Sequence, residues 1–183
     1  MTPSLEATGV PSPAGAHALG GGLPFREVYD REFPVVVRVL RRMGVAERHL
    51  EDAAQEVFTV VLRRRADFDA RRPVRPWLCG IATRVAADFR KKAATVVEVP
   101  HSEPPDDGDD RGARQVDARQ LLLRALDELS YDERVAVLLV DLEGQAAVDV
   151  AEALSTPAGT LYARLHDARR KLASHIARLS EVA

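Results

Sequence analysis

The chain has 183 residues, 46% of them hydrophobic and 30% charged, enough to build a soluble core but no more than one large or two small domains. Its net charge of −2 conceals three blocks: 16 basic against 10 acidic residues over 25–95, 2 against 7 over 96–118, and 8 against 10 over 119–183. The longest apolar runs are far shorter than the ~20 residues a membrane-spanning helix needs, and one cysteine, Cys79, excludes an internal disulfide and a cysteine-built zinc site.

Residues 1–24 are rich in Pro, Gly, Ala, Ser and Thr, with Gly20-Gly21-Gly22 near their end. This composition predicts a disordered tail, because it buries too little apolar surface to offset the entropy of ordering. It lacks a charged segment leading into an apolar core, so no signal peptide is expected and the chain reads as cytoplasmic. Helical periodicity starts near Phe25 and runs to about Met43, where Gly44 ends it; Pro34 is expected to kink that helix or split it. A second helix, about His49 to Arg65, sets Ala53, Ala54, Val57, Phe58, Val61 and Leu62 on one side. Asp67 to Pro76 reads as a loop with two prolines, and a third helix runs from Pro76 or Trp77 to Lys92, with Cys79 as a buried structural thiol.

Residues 96–118, with three prolines, two glycines and seven acids, read as a linker. Beyond it the pattern is again helical: Gln120–Leu129, then Tyr131–Leu142 behind a capping box of Ser130 and Glu133, then about Ala147–Leu154. Thr156 is the expected cap of a last, long helix from Ala158 to about Leu179, with Pro157 at its first turn. No strand pattern appears, so the expected fold is all-α, two small helical bundles joined by a flexible acidic linker. The divisions are 1–24, 25–95, 96–118 and 119–183.

A short helix, a tight turn and a longer helix form a helix-turn-helix, whose second helix enters the major groove with its N-terminal residues on the base edges. Leu161, Leu165, Ala168 and Leu172 should face the core, leaving Tyr162, Arg164, His166, Arg169 and Arg170 outward; the free amides at Thr156–Gly159 suit a phosphate. A plain solvated helix with Arg169-Arg170-Lys171 on its surface is the competing reading. The five histidines (His17, His49, His101, His166, His175) are scattered without acid or cysteine partners at catalytic spacing, so neither enzyme nor metal chemistry is expected, and no cofactor.

The two bundles in this order resemble the bacterial RNA polymerase sigma factors of the extracytoplasmic-function group, the sigma-70 family members that hold only regions 2 and 4. The resemblance covers about 25–92 and 120–172. It is carried by Asp52-Ala-Ala-Gln55-Glu56-Val57-Phe58, Phe68-Asp69, Pro76-Trp77-Leu78-Cys79-Gly80-Ile81-Ala82, Asp141-Leu142-Glu143-Gly144 and Pro157-Ala158-Gly159-Thr160, with Arg164-Leu165 followed by Ala168-Arg169. It implies that Asp52, Gln55, Glu56 and Phe58 dock on the β′ clamp helices of core RNA polymerase, with region 4 on the β flap. Asp69, Arg71, Arg72, Arg75, Trp77, Arg84, Lys91 and Lys92 would take the −10 element. Thr156, Gly159, Thr160, Tyr162, Ala163, Arg164, His166, Arg169 and Arg170 would take the −35 element.

The same resemblance implies promoter DNA as a partner, an anti-sigma protein, no membrane insertion, and no reaction performed by the chain itself. Trp77 is also readable as a core residue, and Asp52–Glu56 as a solvated face. Five positions depart from the family: Arg84 stands where relatives carry Asn, the helix near Ala147 lacks its Ser cap, and Tyr162, Ala163 and Asp167 alter the recognition helix. A duplex-binding helix-turn-helix regulator and a sigma-like protein-binding module with altered −35 recognition are the alternatives.

Overall fold

A computed structural model describes residues 18–20, 22–95 and 124–182. Its helices are α1 (Phe25–Arg42), α2 (Leu50–Arg63), α3 (Val74–Thr95), α4 (124–127), α5 (Tyr131–Val137), α6 (Ala147–Ala153) and α7 (Ala158–Val182). The acidic segment 96–118 lies outside the described residues, as does 120–123 of the expected Gln120–Leu129 helix.

α1 continues unbroken through Pro34, so the expected split does not occur; it lays Val28, Val35, Val36, Val39 and Leu40 on one buried stripe. It ends in a Schellman motif: Gly44, at φ +87°, donates to the Arg41 carbonyl at 3.0 Å, and Val45 to Leu40 at 3.1 Å. α2 packs Ala53, Ala54, Val57, Phe58 and Val61 against it. α3 starts at Val74, two residues before the expected Pro76, because the first helical turn has no intrahelical use for the amide that proline lacks.

Two further departures follow local chemistry. Residues 18–20 and 22–24, expected as disordered tail in an all-helical chain, contribute two paired antiparallel strands, β1 (Ala18–Leu19) and β2 (Leu23–Pro24), with Leu19 only 1% exposed in the core. The expected Tyr131–Leu142 helix is α only to Val137 and then widens into a π turn over Leu138–Leu142. Glu143 donates its amide to the Leu138 carbonyl at 3.0 Å and Gln145 to Leu139 at 3.1 Å, with Gly144 at φ +66°.

Ser130 caps α5 with Glu133 completing the box, and α6 lacks a side-chain cap at Ala146, both as the sequence predicts. The Thr156 hydroxyl, expected to cap α7, instead donates back to the Leu154 carbonyl at 3.4 Å. α6 closes on Ser155 at φ 55°, a position usually held by glycine; its amide donates to Glu152 and that of Thr156 to Ala151, again a Schellman pattern.

The two halves share one apolar core rather than standing apart. α3 runs against α6 so closely that a Cβ on Gly80 would lie 2.9 Å from the Ala153 carbonyl oxygen. Within the second half α5 packs on α7, where Lys171 reaches Glu133 at 2.7 Å.

Ser130→Ala removes the cap of α5 and is expected to lower stability by about 1 kcal/mol in denaturant unfolding. The Lys171 ammonium, with the Ser130 hydroxyl and amide, holds the Glu133 carboxyl below its ordinary 4.5. Its contribution is therefore full above that value and falls away as pH drops through the lower folded pKa. A Glu133→Gln chain should lose part of the acid-side slope between pH 5 and the acid limit while retaining the rest.

Candidate polymerase and nucleic-acid interfaces

The first expected face lies on α2. Asp52, Gln55 and Glu56 are all exposed on one side of the helix, opposite the buried stripe. Phe58 does not belong with them. It is 4% exposed and lies 4.6 Å from the Tyr29 ring and 6.2 Å from Phe25 by centroid, so its ring serves the core and not a docking surface. The helical spacing of Phe58 with Val57 and Val61 already carried that signal. A groove of about 250 Å³ separates α2 from α3, with Glu56 and Arg64 on one wall and Arg84, Asp88 and Lys92 on the other.

The second face is the strap between α2 and α3. Phe68 is buried and its ring sits 5.1 Å from that of half-buried Trp77, tilted by 37°. Trp77 therefore has one side packed and the rest available, which reconciles its two readings. Asp69 builds the following turn: its carboxylate accepts from the Arg71 amide at 3.0 Å and from the Arg71 guanidinium at 2.7 Å, which holds its pKa at about 2. Arg75 is not a free cation. It donates to Glu32, a carboxylate buried on α1, at 2.8 Å, and that bond raises its pKa. Lys91 and Lys92 are exposed at the far end of α3, with the Lys92 ammonium 5.4 Å over the Phe89 ring.

The third face is the start of α7. Gly159, Thr160, Tyr162, Ala163, His166, Arg169 and Arg170 are exposed and Thr156 half-buried, while Leu161, Leu165 and Ala168 are buried as the spacing predicts. Two of its arginines are tied to acids of the preceding elements. Arg164 meets Asp132 at 2.6 Å, and Arg169 grips Asp141 through two bonds of 2.9 and 2.6 Å. Arg170 stands 3.4 Å from Asp167, the acid that departs from the family pattern.

Residues that sequence reasoning passed over join the second and third faces. The Glu143 side chain is 2% exposed and accepts from Arg38 at 2.6 Å and Arg42 at 2.8 Å, both on α1. Gln145 donates to the Cys79 sulfur at 3.2 Å, and the Tyr131 hydroxyl donates to the Thr83 carbonyl. Arg72 pairs with Glu152, and Arg84 donates to the Ala153 carbonyl at 3.4 Å, at the electronegative end of α6. Two of the −10 candidates are thus engaged across the halves. The Asp141–Gly144 motif was visible in the sequence, but nothing in its spacing tells that Glu143 points to α1.

Among the described residues no group of three acids, histidines or cysteines could hold a metal, and no helix is long and apolar enough to cross a membrane. Residues 28–95 match the sigma-70 region 2 family and residues 119–172 match sigma-70 region 4. The chain belongs to the sigma-70 family of RNA polymerase sigma factors, in its extracytoplasmic-function group.

Among its relatives, RNA polymerase sigma factor CarQ of Myxococcus xanthus is 30% identical over 156 residues, 81% of this chain and 86% of that protein. The ECF sigma factor SigM of Mycobacterium tuberculosis is 28% identical over 158 residues, 86% of this chain and 80% of that one. The fold is similar to that of sigma factor RpoE of Bartonella quintana, solved with the anti-sigma factor NepR (TM-score 0.67, 20% identity, 84% of this chain and 96% of that one). It is also similar to CnrH, solved with the cytosolic domain of CnrY (TM-score 0.63, 21% identity, 84% and 88%). As a member of this family, the chain directs promoter-specific transcription initiation with RNA polymerase.

Cys79 reports on the packing of the halves. Burial raises its thiol to about 12, and Gln145 covers it from the other half. The native protein is expected to leave an aromatic disulfide reagent unreacted at pH 8. Glu143→Ala, which removes the carboxylate between Arg38 and Arg42, should speed that reaction severalfold before any global unfolding.

Proposed function

We propose that the α2 face of Asp52, Gln55 and Glu56 docks on the β′ clamp helices of core RNA polymerase, with region 4 seated on the β flap. The observation that supports this reading is an exposed carboxylate–amide row on a helix whose opposite side is fully buried, ready to pair with arginines of a partner coiled coil. Phe58 is left out of that set.

The −10 strand is then taken by the Asp69–Trp77 strap. An unstacked base lies on the open side of Trp77, while Arg71, Arg72, Arg84, Lys91 and Lys92 follow the phosphates. Trapping extruded bases offsets their unstacking, a cost of a few kcal/mol, and so drives strand opening. Arg75 holds the strap to α1 through Glu32 and acts on DNA only through that support.

The −35 duplex is read by the start of α7: Gly159, Thr160, Tyr162 and Ala163 face the groove, and Thr156, His166 and Arg170 approach its walls. Arg164 and Arg169 are braced by Asp132 and Asp141, which fixes their reach. Tyr162 and Asp167 mark an altered −35 sequence, with Asp167 suited to accept from a cytosine amino group.

Both elements cannot be read in the packed arrangement. Elements about 25 base pairs apart lie about 85 Å apart along B-DNA at 3.4 Å per pair, whereas here α3 and α6 touch. The chain between Thr95 and Arg124, fully extended, reaches about 100 Å. Polymerase binding therefore separates the halves and frees Arg72 and Arg84 for the strand. The bond-making site belongs to the polymerase, the chain works in the cytoplasm, and an anti-sigma protein holding it inactive fits the same surfaces.

Gln55→Ala combined with Glu56→Ala is expected to weaken core binding about tenfold with helical content unchanged, measured by fluorescence titration and circular dichroism. In vitro transcription over genomic fragments should yield discrete mapped starts with wild-type protein. A protein that binds no core enzyme would overturn the proposal. Footprints on duplex DNA without polymerase would favour an ordinary helix-turn-helix regulator.

A further inference from the structure

The N-terminal hairpin is held in place by the strap that follows α2, and holds it in turn. Leu19 is sunk in the core at 1% exposure, and the Gly22 amide donates to its carbonyl at 3.0 Å, closing a turn in which Gly22 takes φ +104°. Between them the Gly20 amide donates to the Arg65 carbonyl at 3.1 Å, on the single 3-10 turn that opens the strap.

The approach is closer still at the next step. A Cβ on Gly20 would lie 1.9 Å from the Phe68 carbonyl oxygen and 3.1 Å from its carbon, so only glycine lets these backbones touch. Phe68 is the residue whose ring supports Trp77, and its successor Asp69 builds the turn that Arg71 braces. Most side chains from Arg63 to Pro73 are exposed, so the strap has little core of its own between the ends of α2 and α3.

We propose that this hairpin is a positioning element for −10 strand capture: Gly20 and Leu19 fix Phe68, and through it the Trp77 ring and the Asp69 turn. The proposal rests on the reading of Asp69–Trp77 as the capture surface. Residues 18–20 and 22–24 touch no base; they act by setting where the strap stands. A free strap would have to order itself on each encounter, which lowers strand affinity without touching the α2 docking face.

The test compares wild type, Gly20→Val and Leu19→Ala as full chains assembled with core polymerase. The probe is a single-stranded oligodeoxynucleotide bearing the non-template −10 strand of a promoter mapped by transcription. Gly20→Val is expected to lower probe affinity about tenfold while core affinity stays within about twofold. Amide hydrogen exchange should rise over 65–73 and stay level in α2. Leu19→Ala, which leaves the backbone contact intact but loosens its anchor, should act in the same direction and more weakly.

Unchanged probe affinity in Gly20→Val despite faster exchange of the strap would overturn the proposal. So would a parallel loss of probe affinity, core affinity and thermal stability in both variants, which marks a purely structural role. A wild-type holoenzyme that transcribes but ignores the probe would sink the capture reading itself, and this proposal with it.

Discussion

The arrangement depends on one buried carboxylate. The Glu143 side chain sits between Arg38 and Arg42 at 2% exposure, where a lone charge would be untenable and two guanidinium partners compensate it. Its position is set by the π turn that ends α5, which advances the chain by one extra residue before Gly144 reverses it. That same turn sends Asp141 to Arg169 on α7 and Gln145 to Cys79 on α3. Three directions are thereby fixed from five consecutive residues: region 2 through α1, the apolar seam through α3, and region 4 through α7.

The seam itself is permitted by small side chains. Gly80 on α3 and Ala153 on α6 let the backbones approach, and Arg84 finishes the contact at the carbonyl end of α6. On the functional reading, the cations that face a promoter phosphate in the working complex face protein carboxylates and carbonyls in the free chain. On that reading, Arg72 stays with Glu152 and Arg84 with the Ala153 carbonyl until polymerase draws the halves apart. In the proposed opening the same cations thus have two roles, closure in the free protein and phosphate contact after opening.

Much of this was legible in the sequence where local chemistry governs. Helical stripes, the Ser130–Glu133 box, the uncapped start of α6 and the buried face of α7 follow from spacing and residue type, and the structure repeats them. Phe58 was also legible, since its stripe neighbours are all core, but the motif it ends drew it toward the docking face. What was hidden depends on contacts distant in sequence. Glu32 with Arg75 is 43 residues apart and Glu143 with Arg38 is 105, so neither pair leaves a local pattern. The hairpin of 18–20 and 22–24 was hidden for the opposite reason. Its glycines look like tail composition, yet Gly20 is needed for contact with Phe68 and Gly22 for the turn.

The separation of the halves on a promoter is the claim most directly open to measurement. Fluorophores on exposed Ala46 and Ala146, through Ala46→Cys and Ala146→Cys, flank the Arg42–Glu143 pair and report the separation of the halves while buried Cys79 stays unlabelled. Energy transfer should be high in the free protein and fall to near zero when core polymerase and a mapped promoter are added, as the reading sites move to about 85 Å apart. Transfer that stays high in a transcribing complex would contradict the account.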